Sequence, residues 1–456
     1  MNEPAALSPA SPDYLTRVGP GTPLGTLLRE YWTPACLSSE LVADGNPLRL
    51  LLLGEKLVAF RDTQGRVGVL DHRCPHRCAS LFFGRNEQGG LRCVYHGWKY
   101  DVTGQCLEMP NVPKENDFSA RLKARAYPSF ERLGVVWVYL GSRALPPPQP
   151  EIEVTLMPPG EARVSVSQRE CNWLQVIEGD LDTSHLGFLH LGSVSHDEVD
   201  PENLHAPVLA DRAPYYEVKD TPWGVMGGAR RQASTGLQYW RLSQFLFPFW
   251  ALVPDGSFED NLAANASVPM DDTHTLVFNF AWTRRTPPMR SRKDGSAFPG
   301  LQFKHEFLPN TSDWHGRWRS AANAQNDYLI DRDTQRNATF TGVDGITIQD
   351  QYITESMGPI VDRRLEHLAH SDLLIARARR RLRGAIEALL KSGTVPPGVD
   401  DPEVNLRARS GSFNAPDGQD IEAAYAAQFA NTVSPVSQFL AAKDASTAGN
   451  ASADSA

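Results

Sequence analysis

Two short segments each carry one cysteine and one histidine at a spacing that suits a metal site. Cys74 and His76 stand in the first segment, and after sixteen intervening residues Cys93 and His96 stand in the second. Two thiolates and two imidazoles are the ligands of a [2Fe–2S] cluster in which His replaces Cys on one iron. Structural zinc also takes two Cys and two His, but zinc fingers usually group Cys with Cys and His with His. Because each segment here offers one of each, the spacing favours the iron–sulfur cluster over zinc.

A second stretch with metal-binding side chains runs from Cys171 to His190. At about 100° per residue, one side of a helix starting at Asn172 would carry the polar residues Asn172, Gln175, Glu178 and Asp182. A polar stripe is usually a solvated face, but such faces mix charge signs and no Lys or Arg occurs here, so we predict an acidic face that binds a cation. His185 and His190 reach one metal only if the helix ends or distorts between them, which Gly187 permits.

The elements that must position the first pair of segments are short β-strands. Aliphatic and β-branched runs separated by turn residues predict strands over 48–53, 57–61, 67–70 and 134–140. A proline-rich run at 145–150 follows and should form a stiff connector. We therefore predict a small all-β domain over 45–145 and a linker over 146–155.

The elements that must position the second stretch are a sheet and flanking helices. Alternating patterns over 216–231, 237–252, 261–269 and 274–283 predict an antiparallel sheet curving around the metal-bearing helix. The sequence further predicts an amphipathic helix over 22–36 and an arginine-rich helix over 371–391. The whole is an α+β chain. Its expected parts are an N-terminal helical segment 1–44 packing on the catalytic domain, the all-β domain 45–145, the linker 146–155, the catalytic domain 156–432 and a disordered tail 433–456.

Length and composition limit the classes of function. A chain of 456 residues is long for one core, so two domains are expected. The net charge of −9 argues against a nucleic-acid partner. We expect no signal peptide and no membrane span, because the apolar runs are strand-sized. Six cysteines in a chain of this size fit a reducing compartment, so a cytoplasmic location is expected.

Both metal-binding stretches resemble one protein family. The cluster segments, with Gly97-Trp98 and the closing residues 100–104, resemble the Rieske signature. The spacing Asp182-x2-His185-x4-His190 resembles the mononuclear iron site of Rieske oxygenases. The chain is therefore similar to the Rieske non-haem iron ring-hydroxylating oxygenases. This resemblance implies a helix-grip catalytic fold, a Rieske [2Fe–2S] cluster and a mononuclear Fe(II) that leaves open positions for O2.

The resemblance also implies the roles of two carboxylates. Residues 349–359 look like the phthalate-dioxygenase branch of the family, in which the aspartate of this segment, here Asp350, is the third iron ligand. Asp182 is implied to bridge His96 of the cluster to His185 of the iron site, as carboxylates that orient metal-bound imidazoles do. From the residues alone, four other carboxylates compete for the third ligand position: Asp331, Asp333, Asp344 and Glu355. The sequence departs from the family at Cys78, where glycine is usual, and at Asp180, where a small residue is usual.

Three arginines among aromatic residues bear on the substrate. Arg230, Arg231 and Arg241 either pair with acidic neighbours on an outer sheet face or include one that binds a substrate carboxylate. The resemblance implies a terminal oxygenase that hydroxylates an aromatic, phthalate-like carboxylate with O2 and electrons from an NAD(P)H-dependent reductase of the flavin and ferredoxin type. It also implies a head-to-tail homotrimer or a multiple of it. The alternatives are an O-demethylase acting on an aryl ether, a pure electron-transfer Rieske protein and a zinc-stabilised binding module.

Overall fold

The structure, a computed structural model, describes residue 8 and residues 11–285, 291–301 and 305–436. Its α-helices are α1 Pro23–Leu28, α2 Trp173–Leu181, α3 Ala206–Ala210, α4 Arg332–Asn337, α5 Ile346–Ser356, α6 Leu373–Ser392 and α7 Ile421–Ala430. Its strands in the first part of the chain are β1 Trp32–Leu37, β2 Leu48–Leu52, β3 Glu55–Arg61, β4 Val67–Asp71, β5 Arg85–Glu87, β6 Gly90–Arg92, β7 Lys99–Tyr100, β8 Cys106–Glu108, β9 Ser129–Arg132 and β10 Val135–Tyr139. The later strands are β11 Ala162–Arg169, β12 Tyr215–Thr221, β13 Gly224–Ser234, β14 Leu237–Leu246, β15 Trp250–Leu252, β16 Ala263–Pro269, β17 Thr275–Trp282 and β18 Gly411–Pro416.

Three small antiparallel sheets hold the cluster segments. Their strand orders are β1-β10-β9, β2-β3-β4 and β5-β6-β7-β8. Cys74 lies just after β4, and Cys93 and His96 lie in the turn between β6 and β7. The predicted strands at 48–53, 57–61, 67–70 and 134–140 are confirmed, and the all-β character of this part of the chain follows from them.

The predicted N-terminal helix over 22–36 is only half correct. The helix α1 begins after Thr22, whose side chain accepts the N–H of Gly25, and it ends at Leu28. From Trp32 the chain is the strand β1, which pairs with β10 along the register Trp32 opposite Tyr139. Pro34 tells against a helix that continues to residue 36, because a proline inside a helix removes a hydrogen bond and clashes with the preceding turn.

A large antiparallel sheet carries the second metal-binding stretch. Its strand order is β11-β17-β16-β15-β14-β13-β12, and β18 pairs with β14. The helix α2 packs against β14, β15 and β16, and α3 and α6 pack against β13. The predicted sheet around the metal-bearing helix is confirmed, except that 216–231 is a hairpin of two strands, β12 and β13. This arrangement places α2 against the central strands of the sheet.

The main hydrophobic core continues from the first part of the chain into the large sheet. Trp137 of β10 stacks on Trp250 of β15 with ring centroids 5.8 Å apart, and both side chains are buried. None of the helices in the described residues combines the length with the apolar composition that a membrane-spanning helix needs. The predicted disordered tail lies outside the described residues from 437 onward.

Candidate metal centres

The two cluster segments fold into matching turns. The N–H of Cys78 donates to the carbonyl oxygen of Cys74 at 2.9 Å, and the N–H of Gly97 donates to that of Cys93 at 2.9 Å. Cys78 and Gly97 both adopt positive φ, 59° and 79° respectively, in the region that favours glycine. The exposed Cys78 therefore occupies the turn position that glycine occupies in the second segment.

The side chains of the cluster residues converge. Cys74 and Cys93 are buried, and the ring centroids of His76 and His96 lie 4.4 Å apart. The buried Nδ1 of His96 has no hydrogen-bond partner within the described residues, as expected of a nitrogen that binds iron. Burial, and then the neighbouring His76, lowers the pKa of His96, which favours the neutral imidazole that binds metals. The residues present therefore fit a [2Fe–2S] cluster.

Two aromatic side chains support this group. Trp98 stacks on the His76 ring with centroids 4.2 Å apart, and its Nε1–H donates to Oδ1 of Asn111 at 2.7 Å. The Tyr100 hydroxyl lies 3.3 Å from Sγ of Cys74. Burial raises the pKa of the Cys74 thiol, and the Tyr100 contact opposes that shift. Tyr100 thus offers a hydrogen bond to the thiolate form that a metal requires.

The end of α2 delivers the histidines of the second centre. The helix stops at Leu181, and the extended Asp182 that follows accepts the N–H of Ser184 on its Oδ1 at 2.6 Å. His185 then begins a short 3-10 turn, His185–Gly187. The helix is therefore interrupted before His185, rather than between the two histidines as predicted. This break frees both imidazoles from the 100° spacing of a regular helix.

The structure brings His185, His190 and Asp350 together. Their candidate ligand atoms all lie within 4.8 Å of one another. Oδ1 of Asp350 lies 3.6 Å from Nε2 of His185 and 3.1 Å from Nε2 of His190. On its other side, Nδ1 of His185 lies 3.6 Å from Oδ2 of Asp182. Two imidazoles and one carboxylate that converge on one point fit the ligand set of a non-haem iron that keeps open coordination positions.

Gln349, which the sequence analysis missed, fixes the orientation of His190. Its amide nitrogen donates to the carbonyl oxygens of Gly300 at 3.0 Å and Val343 at 2.8 Å. These two acceptors force Oε1 to face Nδ1 of His190, 2.7 Å away. His190 therefore carries its proton on Nδ1 and leaves Nε2 free to bind a metal. The only feature of the sequence that could have indicated this role of Gln349 is its position directly before Asp350.

The charges of the second centre depend on one another. Burial opposes protonation of His185, but Asp182 and Asp350 outweigh it and raise the pKa of His185. Burial likewise opposes ionisation of Asp350, yet His190 and then His185 lower its pKa. The group thus stabilises positive charge at its centre, which is what a divalent cation supplies.

The carboxylates that competed for the third ligand position lie elsewhere. Asp331 caps α4 with its side chain, Asp333 forms a surface ion pair, and Asp344 is exposed. Glu355 accepts a hydrogen bond from the Tyr328 hydroxyl at 2.7 Å. Of these five candidates, Asp350 is therefore the carboxylate that lies next to both His185 and His190.

Most of the predicted polar face of α2 is occupied by protein contacts. Gln175 donates to the carbonyl oxygen of Thr354 at 2.9 Å, which ties α2 to α5. Glu178 accepts hydrogen bonds from Arg363 at 2.8 Å and from Arg379 at 2.6 Å. The prediction that this face binds a cation is therefore wrong for these two residues. The candidate metal-binding side chains His185 and His190 follow the helix.

A further carboxyl, Asp180, lies within electrostatic reach of the candidate ligand Asp350. Nδ2 of Asn265 donates to its Oδ2 at 3.1 Å, and Asn279 in turn donates to Asn265 at 2.5 Å. Burial raises the pKa of Asp180 to about 7; the Asn265 hydrogen bond opposes this shift and the charge of Asp350 adds to it. Asp180 is therefore a carboxyl that titrates near neutral pH.

The three predicted substrate arginines do not share one face of the sheet. Ala229 lies opposite Arg241 and Arg230 lies opposite Trp240 in the pairing of β13 with β14. Because side chains alternate along a strand, Arg231 and Arg241 lie on one face and Arg230 on the other. Two of the three are thus neighbours and the third is separate.

The two neighbouring arginines are buried without a counter-ion. Arg231 and Arg241 are each 3% exposed, and no carboxylate of the described residues lies within 4.0 Å of either guanidinium. Nε of Arg231 donates to the carbonyl oxygen of Asp211 at 2.7 Å, and Nη1 of Arg241 contacts Nδ1 of His205 at 3.1 Å. Burial, and then Arg241, lowers the pKa of Arg231 to about 10.

The surroundings of this pair leave its positive charge unbalanced. Burial, and then the charge of Arg241, lowers the pKa of His205 to about 3, so His205 is neutral at physiological pH. Nη1 of Arg231 and Nε of Arg241 are buried without a hydrogen-bond partner in the described residues. Buried cations are costly unless they are paired, so this position suits an anionic group.

Two family matches divide the chain as the geometry does. The family described as the Rieske [2Fe-2S] domain matches residues 31–128, which include the cluster segments. The family described as "LigXa C-terminal domain like" matches residues 138–419, which include the second centre. The first match favours the [2Fe–2S] assignment over zinc, and the second tells against a protein that only transfers electrons.

Relatives in sequence and structure agree with these matches. The chain is 49% identical over 418 residues to the 3-chlorobenzoate-3,4-dioxygenase oxygenase subunit of Comamonas testosteroni, covering 90% of this chain and 96% of that protein. It is 36% identical over 431 residues to the phthalate 4,5-dioxygenase oxygenase subunit of Pseudomonas putida, covering 91% and 94%. The crystal structure of dicamba monooxygenase bound to 3,6-dichlorosalicylic acid matches 80% of this chain and 99% of that chain with a TM-score of 0.52 and 19% identity. The last comparison shows a shared fold.

Proposed function

The chain belongs to the Rieske non-haem iron oxygenases, and from this premise we propose that it is the terminal oxygenase of a multicomponent system that hydroxylates an aryl carboxylate. The proposed ligands are Cys74, His76, Cys93 and His96 for the cluster and His185, His190 and Asp350 for the iron. When bound, the cluster supplies single electrons and the iron activates O2. An NAD(P)H-dependent reductase of the flavin and ferredoxin type would supply the electrons.

The chain's own residues orient the metal-binding groups. Gln349 accepts the Nδ1 proton of His190, so that Nε2 would be free to bind the metal. Asp182 faces Nδ1 of His185 at 3.6 Å and would hold that imidazole in the same tautomer. Both contacts leave the two imidazoles fixed before a metal or substrate arrives, which is the usual contribution of residues behind metal ligands.

The buried pair Arg231 and Arg241 is the observation that carries the substrate assignment. Both guanidiniums lie on the sheet face that is covered by α3, a helix in the segment that follows His190. Both are buried, and both lack a carboxylate partner in the described residues. A substrate carboxylate would balance their charge and accept the hydrogen bonds that Nη1 and Nε now leave unused. The two relatives named for 3-chlorobenzoate and phthalate act on aryl carboxylates, which supports the same class here.

Steady-state kinetics tests this assignment. Substrate-coupled O2 uptake is measured with 3-chlorobenzoate, benzoate, phthalate and neutral arenes, with product analysis to separate hydroxylation from O-demethylation. Arg231→Leu and Arg241→Leu should each lower kcat/KM for the carboxylates by about 10- to 100-fold, the value of one charge-assisted hydrogen bond.

Arg230→Leu is the matched control, because Arg230 lies on the opposite face and interacts with Glu217 at 3.4 Å. It should leave kcat/KM near that of the wild type. Equal kinetics for all three variants, or better turnover of neutral arenes, would contradict the assignment.

We further propose that electrons cross between subunits of a head-to-tail trimer. Val94 and Tyr95, next to His96, are 59% and 51% exposed, and Phe188 and Phe340, near the iron ligands, are 45% and 52% exposed. Each chain thus has an apolar patch at each metal centre, and a heterologous contact between unlike patches closes into a ring by rotation. Asp182 would then lie between His185 and His96 of the partner subunit.

The division of the chain is also a proposal. We take the proline-rich residues 146–155 as the linker between a cluster domain, 45–145, and an iron domain, 156–432. The linker is held in place, because Nε1 of Trp32 donates to the carbonyl oxygen of Pro147 at 2.9 Å. A linker fixed in this way suits domains that keep a constant relation within the ring. A reducing cytoplasm is the location that we propose for the enzyme, since it suits the free cysteines.

A further inference from the structure

A cavity of about 400 Å³ lies along the solvent-facing side of α6, and none of its lining residues belongs to either metal centre. Arg377, Arg380 and Arg381 line it towards the start of the helix and Ala388 lines it further along, and Val395, Pro396 and Pro397 also belong to the lining. At about 1.5 Å per residue, the lining stretch of the helix is roughly 16 Å long. The cavity is therefore elongated, with one cationic end and one apolar end.

The cationic end carries more positive charge than the protein balances. Arg377 donates two hydrogen bonds to the carboxylate of Asp220, at 2.7 and 2.6 Å. Arg381 lies 3.7 Å from the same carboxylate and donates to the carbonyl oxygen of Thr221. Arg380 is exposed, and no carboxylate of the described residues lies within 4.0 Å of its guanidinium. Three cations therefore face one anion.

Small residues keep the rest of the cavity open. A Cβ added at Gly384 would meet nothing within 4 Å, and Ala385 and Ala388 continue the same wall. Pro396 and Pro397 add further apolar lining. An apolar group could lie here against aliphatic side chains without displacing any of them.

We propose that this cavity binds a small organic anion with an apolar body, of the aryl carboxylate class, with its carboxylate at Arg380 and Arg381. The planar guanidinium fork matches a carboxylate, and the volume lies within the range of small-molecule sites. Inorganic phosphate would leave the apolar end unused, and the net charge of −9 disfavours a polyanion. The proposal stands on these residues alone and does not depend on the reaction proposed above.

Ligand titration of the holoenzyme tests the site. Binding of 3-fluorobenzoate is followed by ¹⁹F NMR, which counts the classes of bound ligand. Gly384→Leu fills the cavity with a residue of higher helix propensity, and Gly384→Ala is its matched control. Arg380→Leu removes a cation that lines the cavity, and Arg383→Leu removes one from the same exposed face of α6 outside it.

The wild type should show two classes of bound ligand. Gly384→Leu and Arg380→Leu should weaken one class by about tenfold or more, and Gly384→Ala and Arg383→Leu should leave both unchanged. Identical titrations for all four variants would overturn the site, and so would displacement by inorganic phosphate as effective as that by benzoate. The other class of bound ligand should weaken in Arg241→Leu. If this second class is missing, the result counts against the proposed substrate and not against the α6 cavity.

Discussion

Gln349 offers a sharp test of how the iron centre is built, because it touches a ligand and not the metal. Its Oε1 lies 2.7 Å from Nδ1 of His190, and its amide nitrogen is held by Gly300 and Val343. Gln349→Leu removes all three hydrogen bonds. Loss of the hydrogen bond behind a metal-bound imidazole costs about 10- to 100-fold in metal affinity, or about 1.4 to 2.7 kcal/mol.

The same substitution also costs stability, and the two effects must be separated. Gln349→Leu leaves Nδ1 of His190 without a partner, which costs about 1–3 kcal/mol, whereas the carbonyl oxygens of Gly300 and Val343 keep the N–H of Gly345 and the hydroxyl of Thr341. Gln351→Leu is the matched control, since Gln351 is a buried glutamine of the same helix whose Oε1 accepts from Arg169 and Ser320 and touches no iron ligand. It should lose comparable stability and keep its iron affinity. Gln349→Glu should keep the acceptor for His190 and therefore the iron affinity, but it should lose stability because it loses both N–H donors to Gly300 and Val343.

Competition for Fe(II) against a chromophoric chelator under anaerobic conditions measures the affinity of each variant. The Rieske signal in electron paramagnetic resonance reports whether the cluster domain remains folded, and denaturant unfolding reports stability. An iron affinity of Gln349→Leu indistinguishable from that of the wild type, in folded protein, would refute the role of this hydrogen bond. Equal losses of iron in Gln349→Leu and Gln351→Leu would show that the effect is only destabilisation.

Two more predictions concern protons and assembly. In iron-free protein the pKa of Asp180, about 7, exceeds the value near 3.9 of an unfolded chain. Between these values the unfolded state binds fewer protons, so the free energy of unfolding falls as pH rises. Asp180→Asn should make this fall shallower in denaturant unfolding from pH 5 to 7, and an unchanged slope would contradict the assignment. Cys74→Ala and His185→Ala should each be inactive alone. Oligomers that contain both variants should regain partial O2 uptake, because some interfaces pair an intact cluster with an intact iron. No activity in verified mixed oligomers would exclude transfer between subunits.

The residues that sequence reasoning placed best are those whose geometry is local. Cys74 and Cys93 each sit in a turn closed within four residues, so residue type and spacing already described their arrangement. His185 and His190 belong to one short stretch for the same reason. Asp350 is different, because it reaches the histidines only when α5 packs against α2. Its assignment needed the family resemblance, since the residues alone left four other carboxylates open.

The orientation of a buried amide is harder still to predict. Gln349 faces His190 with its oxygen only because carbonyl groups from two distant segments, at Gly300 and Val343, accept its N–H groups. No periodicity or spacing in the sequence encodes that choice. The N-terminal helix failed for a related reason, since β1 exists through its pairing with β10, about a hundred residues away in the sequence.

The arginines proposed to bind substrate show how the register of a sheet can decide which side chains are buried together. In sequence, Arg230 and Arg231 are adjacent and equivalent, and only the register that sets Ala229 opposite Arg241 assigns them to different faces. A shift of one residue in this pairing would exchange their places, burying Arg230 and exposing Arg231. The face that receives Arg231 and Arg241 is covered by α3, which excludes water and supplies no carboxylate within the described residues. Strand register and helix cover together, and not the number of arginines, therefore create a buried positive charge that an aryl carboxylate would neutralise.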